Sequence, residues 1–271
     1  MIKQAIIPLA GQGTRLLPLT SVFAKELLPI NGKPGIEYIL DECIEAGIKE
    51  VVFIISNKKK MIKNYFYSDA FYKKIIKKKK DSRIIAEYKK ILKYKKLIKF
   101  VYQNTPNGTG DAVFKTRKYI KDKYFLMLLP DDLIIKKNCS KDMIKVHHKH
   151  KASVMASMKV NSKTVSRWGI YSLNKKISKN DYFIDGVVEK PDVKKAPSNK
   201  AVIGRYILPK TIFKKLAKQK PGNGGEIHIT DAIQTLIKEG EKFIAHNFLG
   251  NYLDCGTMHG FINSNKEIAK L

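Results

Sequence analysis

Cysteine is scarce in this chain, and where it stands excludes two classes of protein. The three thiols, Cys43, Cys139 and Cys255, are odd in number and none lies in CxxC spacing, which leaves neither a disulfide framework nor a structural zinc site. Long apolar runs are also missing. No stretch approaches a membrane span, and the opening MIKQAIIPLAGQG has no apolar core long enough for a secretory signal, so a cytoplasmic protein without a membrane partner is expected. Acidic residues number 24 against 53 basic ones, for a net charge of +29, yet only five of the basic residues are arginine: Arg15, Arg83, Arg117, Arg167 and Arg205. Such a charge could serve nucleic acid or another polyanion. Readers of phosphate and bases favour the planar arginine fork, however, and a lysine skew of this size fits the codon composition of an AT-rich genome. A lysine-rich nucleic-acid-binding protein is therefore the rival reading, and no specific nucleic-acid partner is expected.

What is present is a 44% apolar composition, enough for a sizeable core. Strand and helix signals alternate. Residues 4–9, 51–56 and 124–132 read as strands buried on both faces, and 100–103 and 152–160 as further strands. PGIEYILDECIEA (34–46) carries a helical apolar stripe between Pro34 and Gly47. Helices are expected at 58–66, 70–80, 140–150, 209–218 and 229–239, and shorter strands at 168–173, 183–189 and 201–207. The lysine-dense stretch 73–99 has apolar residues at helical spacing beneath its charges and reads as a solvated helix face. The expected fold is α/β: a Rossmann-like, mostly parallel sheet with helices on both faces and a small C-terminal elaboration. With no internal repeat or flexible linker, residues 1–271 read as one unit. Right-handed crossovers place the strand ends on one edge, where ligands of such sheets sit.

Two segments meet that description. PLAGQGTRLLP follows the first strand, and LLPDD ends the 124–132 run. GQGTRL is not a dinucleotide fingerprint, because Leu16 stands where the third glycine belongs, and no GK[ST] follows to make a P-loop. Gly11 and Gly13 nevertheless let backbone N–H groups approach a phosphate or a base edge. Arg15 adds a bidentate donor and Lys25 a mobile point charge.

LAGxGTR followed by KELLP (25–29) resembles the sugar nucleotidylyltransferase family, of the nucleotide-diphospho-sugar transferase fold type. Further matching segments follow in order: Gln103, GTGDA (108–112), LLPDD, WGIY (168–171), VVEKP (187–191), VIGRY (202–206), GGEIHITDAI (224–233) and LDCG (253–256). KELLP, the Pro-Asp strand end, GRY and DCG are most similar to the branch that joins UTP to glucose 1-phosphate. The resemblance implies transfer of a uridylyl group to that sugar phosphate with release of pyrophosphate, and a homo-oligomer. It also implies residue roles. Arg15 and Lys25 hold the triphosphate and the leaving pyrophosphate, with Gly13 and Thr14 in the nucleotide loop. Asp131 and Asp254 hold Mg²⁺. Gln103 reads the uracil edge, with backbone groups of Ala10, Gly11 and Gly108 completing that pocket. Glu189 meets the sugar hydroxyls and Lys190 the sugar phosphate, and Gly169 and Gly204 let backbone amides reach the sugar. A relative of other base or sugar specificity is the close alternative.

Asp132 departs from the pattern. It follows Asp131 where an apolar residue is expected, and as a strand neighbour it should point to the opposite face and not act as a ligand. His147, His148 and His150 lack a carboxylate or thiol partner at useful spacing and read as a helix end. Cys255 has no basic neighbour to activate it, and Trp168 fits a core or rim aromatic as well as a sugar platform.

Overall fold

Ala5 and Ile7 pack into one hydrophobic core while Ile6, between them, packs into another. That alternation makes a strand buried on both faces, and it repeats along the strands beside it. The computed structural model describes residues 1–271, apart from the side chain of Asn223. In chain order the regular elements are β1 (Gln4–Pro8), β2 (Pro29–Ile30), β3 (Lys33–Pro34), α1 (Gly35–Glu45), β4 (Glu50–Ile55), α2 (Lys60–Tyr67), α3 (Asp69–Lys79), α4 (Ser82–Lys95), β5 (Ile98–Tyr102), α5 (Thr109–Lys115), β6 (Tyr124–Leu128) and β7 (Asp132–Ile135). They continue with α6 (Cys139–His150), β8 (Ser153–Lys159), β9 (Gly169–Lys176), β10 (Asp181–Glu189), β11 (Lys200–Pro209), α7 (Ile212–Leu216), α8 (Ile229–Lys238), β12 (Phe243–Asn247), β13 (Asn251–Asp254) and α9 (Met258–Ile268).

Nine strands form the central sheet, in the order β5-β4-β1-β6-β11-β8-β12-β10-β9. Followed through the pairings, seven run in one direction, and β11 and β10 run against them. One face is covered by α1, α2, α4, α6 and α9, through residues such as Ile36, Phe66, Tyr94 and Met143. The other is covered by α5, α7 and α8, through Val113, Phe213 and Ile233. The sheet is therefore the middle of three layers, as expected for this class. The lysine-rich α3 buries none of its residues, in keeping with a solvated face.

Two boundaries differ from the sequence expectation. The run 124–132 is not one strand. β6 stops at Leu128, Pro130 brings no N–H to a ladder, and β7 leaves to pair with β13 in a separate two-stranded sheet. The helix expected at 209–218 is confined to Ile212–Leu216, because β11 extends through Pro209.

Candidate active site

β5, β4, β1 and β6 are parallel neighbours, so the segments after them converge on one edge. The glycine loop follows β1, Gln103 follows β5, and Pro130-Asp131 follows β6. Ala10, Gly11, Gly13, Thr14, Lys25, Gln103, Gly108 and Asp131 all line one cavity of about 520 Å³. The nucleotide-side residues expected from the sequence thus share a single space. Gly13 sits in the left-handed region at φ 71° and opens a single 3₁₀ turn, Thr14–Leu16, which carries Arg15. Its carbonyl accepts hydrogen bonds from Leu16 N (2.9 Å) and Thr20 Oγ1 (2.8 Å), which fix the loop.

Gly108 caps α5 at φ 98°, and a Cβ there would lie 2.6 Å from the Ile227 carbonyl. The contact has a purpose. Gly110 N donates to Ile227 O (2.7 Å) and Ile227 N to Asn107 O (2.8 Å), so the GGEIH segment docks on the Gln103–Gly108 loop and brings Glu226 to the cavity wall.

At the other end of the cavity stands a charge cluster. Lys25 Nζ lies 2.6 Å from Asp131 Oδ2, and the exposed Arg15 guanidinium lies 3.6 Å from the same oxygen. Burial works to lower the Lys25 pKa, but Asp131 and Glu26 outweigh it and raise it. Burial likewise works to raise the Asp131 pKa, yet the charge and hydrogen bond of Lys25 and the charge of Arg15 hold the carboxyl below its usual range. Both groups are therefore charged at neutral pH. Behind Lys25, the adjacent Glu26 accepts two hydrogen bonds from buried Lys59 (2.8 and 2.9 Å).

Asp254, distant in sequence, stands opposite Asp132 on the β7–β13 ladder. Like charges directly opposite oppose pairing, and each carboxylate is compensated locally. Asp254 accepts from Gly256 N (2.8 Å) and Thr257 Oγ1 (3.2 Å). Asp132 accepts from Tyr252 Oη (2.6 Å) and Gly204 N (2.9 Å). Cys255 N donates to the Asp131 carbonyl (2.7 Å), and Gly256 leaves a gap that a Cβ would fill 2.7 Å from Asp131 Oδ2.

Asp132 is thus a structural acceptor joining three segments. Burial, and then the charge of Asp131, push its pKa up to about 6 from an ordinary 3.8. A carboxyl whose folded pKa is raised binds its proton more tightly in the native than in the unfolded state, so rising pH costs stability between about pH 4 and pH 6. Asp132→Asn keeps an acceptor for Gly204 and cannot ionise. It is expected to melt with the parent chain near pH 4 and to be more stable by ~1–3 kcal/mol at pH 7. Thermal melts from pH 4 to 7.5 check this; parallel curves for the two proteins would refute it.

The sugar-side residues are arranged less closely. Gly169 pairs with Glu189 across the β9–β10 hairpin, where a Cβ would approach Glu189 Oε2 to 3.0 Å. Lys190 follows at φ 45°, an uncommon conformation for a side chain of its size, with its N–H on the Trp168 carbonyl (3.0 Å). Glu189 and Lys190 are both exposed, and among the described residues no hydrogen bond or ion pair links them to Arg15, Lys25 or Asp131. Their connection to the charge cluster runs through aromatics: Trp168 packs edge-on against Tyr252, with ring centroids 5.9 Å apart. Gly204 differs from expectation. Its N–H is held by Asp132, its carbonyl accepts from Leu129 N and Arg205 Nη1, and a Cβ would strike Asp132 and Leu129, so close packing rather than contact with a sugar accounts for the glycine.

Sequence reasoning missed Asp111, Tyr252, the Glu26–Lys59 pair and the role of Arg205. Arg205 is fully buried and bidentate to Glu42. The signal available for it was its rarity, one of five arginines inside an otherwise apolar strand. The discounted groups are structural. His147 is buried with Nδ1 2.8 Å from the Ala152 carbonyl, and the buried Cys255 thiol is pushed up to about 12. Among the described residues, no group of three or more His, Cys, Asp or Glu side chains is placed to hold a metal ion.

The sequence profile of the family described as Nucleotidyl transferase matches residues 4–270. The chain belongs to this family. A UTP–glucose-1-phosphate uridylyltransferase of Streptococcus pyogenes is 36% identical, the match covering 99% of this chain and 89% of that one. Among solved structures, a UDP-glucose pyrophosphorylase complexed with UDP-glucose superposes with a TM-score of 0.89 at 34% identity, covering 100% of this chain and 99% of that one. A UTP-bound enzyme of the same kind from Acinetobacter baumannii gives 0.90 at 31% identity, covering 99% and 93%. This nucleotidyl transferase therefore has the nucleotide-diphospho-sugar transferase fold expected for it. No helix among its described residues is long and apolar enough to cross a membrane.

Proposed function

We propose that this nucleotidyl transferase joins UTP to α-D-glucose 1-phosphate, giving UDP-glucose and pyrophosphate. One observation carries the reading: Gln103 and Gly108 line the same cavity as Lys25 and Asp131, and the exposed Arg15 lies 3.6 Å from Asp131 Oδ2. The relatives named for this reaction support the choice of substrates.

The chemistry requires little beyond placement. A sugar phosphate with a second pKa near ~6, like that of a phosphoserine, is mostly dianionic at neutral pH, so its oxygen attacks the α-phosphorus without a general base. The obstacle is repulsion, about 4 kcal/mol for two unit charges 4 Å apart at an effective dielectric of 20. Arg15 and Lys25 offset it at the triphosphate, and Lys190 at the sugar phosphate, while the walls hold the reacting atoms in line. Glu189 would accept from sugar hydroxyls in this reading.

A divalent ion fits the donor set. Of the two hard carboxylates expected to hold it, Asp131 lines the cavity, with space beside its Oδ2 that Gly256 keeps clear, and Asp254 ends β13 two residues before that glycine. Mg²⁺ takes one or two carboxylates and completes its shell with water and substrate phosphate, which also fits the lack of a larger ligand cluster among the described residues. Bound there, it would neutralise charge on the phosphate oxygens.

The test is pyrophosphate release across a panel of nucleoside triphosphates and sugar 1-phosphates, with and without chelator. UTP with glucose 1-phosphate is expected to turn over fastest, and EDTA to stop it. Equal rates with another triphosphate or sugar would move the specificity. No turnover with any pair, together with polyanion binding that weakens steeply with salt, would favour the lysine-rich surface as the functional element.

A further inference from the structure

Selection of a base in this cavity depends on which end of the Gln103 amide faces it. The Gln103 backbone is fixed by its N–H on the Ile55 carbonyl (2.9 Å). Its side-chain Nε2 donates to the Gly108 carbonyl (3.2 Å) and to Asp111 Oδ2 (2.7 Å). A backbone carbonyl and a carboxylate can only accept. The nitrogen must therefore point at them, because a reversed amide would set Oε1 against two other acceptors. Among the described residues no protein donor meets Oε1, although Gln103 is only 4% exposed and lines the cavity. Asp111 stands behind Gln103 on α5, with Lys115 Nζ 3.5 Å from its other oxygen, one turn along the helix.

We infer that Asp111 is a positioning residue that locks Gln103 as a hydrogen-bond acceptor towards the base, so that the site selects pyrimidines carrying an N3–H and rejects cytosine. Uracil and thymine present that donor. Cytosine presents a lone pair at N3, which would face Oε1 with both acceptors unpaired in a confined space. A site built around one buried hydrogen bond discriminates strongly against a partner that cannot make it. The lock gives the amide a direction, which a glutamine alone does not have. The inference rests on the uridylyl-transfer reading for the identity of the cavity, but it concerns the base alone and is separable from the choice of sugar.

The experiment compares kcat/KM for UTP and CTP in the parent enzyme and in Asp111→Ala, Asp111→Asn and Gln103→Leu, with melting curves alongside. The parent is expected to prefer UTP by about 100-fold or more. In Asp111→Ala the amide can turn and donate to cytosine N3, and the preference should fall by about tenfold or more. Asp111→Asn keeps an oxygen that accepts from Nε2 and should return the preference to within about threefold of the parent. A structural role for Asp111 would lower both rates together and leave the ratio unmoved. A second arm needs no variant: N3-methyl-UTP, which lacks the donor, should be as poor a substrate as CTP. An unchanged ratio in Asp111→Ala, or good turnover of N3-methyl-UTP, overturns the lock. If Gln103→Leu alone changes the ratio, the base-reading role survives without Asp111. If no variant changes it, that role falls as well.

Discussion

Asp131→Asn is expected to lower pyrophosphate release by about 100- to 1000-fold, the scale for removing one main electrostatic group from a polar transition state. Asparagine keeps the shape and one acceptor for Lys25 but loses the charge that the proposed ion requires. The carboxylate also helps to keep Lys25 charged: with Asp131 neutral, the charge of Glu26 remains the main opposition to burial, and the Lys25 pKa should drop. Both effects reduce charge stabilisation at the α-phosphorus. Asp131→Ala should be at least as inactive and less stable, since it leaves a largely buried ammonium with only Glu26, already paired with Lys59, as counter-charge. The measurement is steady-state turnover beside a thermal melt. An Asp131→Asn enzyme that folds and retains more than about a tenth of parental activity would sink both the metal assignment and the charge argument.

Arg205→Met should bring the largest loss of stability in the chain, about 3–5 kcal/mol, because breaking a buried pair strands its partner. Arg205 donates to both Glu42 oxygens, to the Gly204 carbonyl (2.9 Å) and to the Leu129 carbonyl (3.2 Å). Glu42 also accepts from Ser140 N and Oγ (3.1 and 2.5 Å). The Arg205–Glu42 pair thus ties α1, α6 and β11 to the backbone just before Pro130-Asp131. Its removal would leave Glu42 with only the Ser140 donors, and the melting temperature should fall by roughly 10 °C. The double variant Arg205→Met/Glu42→Leu removes both charges and should lose less than the two single losses added together. A fall of under about 3 °C in Arg205→Met would show that the pair contributes little. Because Leu129 precedes Asp131, the proposed metal ligand, by two positions, kcat should also drop in whatever fraction remains folded.

The strands at 4–9 and 51–56 were legible because they are buried on both faces, and an uninterrupted apolar run has few other meanings. LLPDD was misjudged as one strand because the break at Pro130 is completed by a partner, β13, more than a hundred residues away. No local pattern announces that pairing, so nothing in the sequence itself sets Asp254 opposite Asp132. The antiparallel insertion of β11 was hidden for the same reason. Gln103 could be named from the sequence, but the direction of its amide could not, since it is set by Asp111 and by the docking of Ile227 on Gly108. Gly204 was misread because a glycine in a strand suits close contact with a ligand and close contact with a buried carboxylate equally well. Glu189 and Lys190 were named only by resemblance, and their link to the charge cluster passes through Trp168 and Tyr252, which neither ring advertises.

The Lys25–Asp131 contact has a consequence for the catalytic cycle. Lys25 is already paired with Asp131, so in the proposed reaction stray anions such as inorganic phosphate would gain little by entering, and UTP would exchange an internal partner for its own oxygens. When pyrophosphate departed, Asp131 would take the ammonium back, which would favour product escape and leave no bare cation behind.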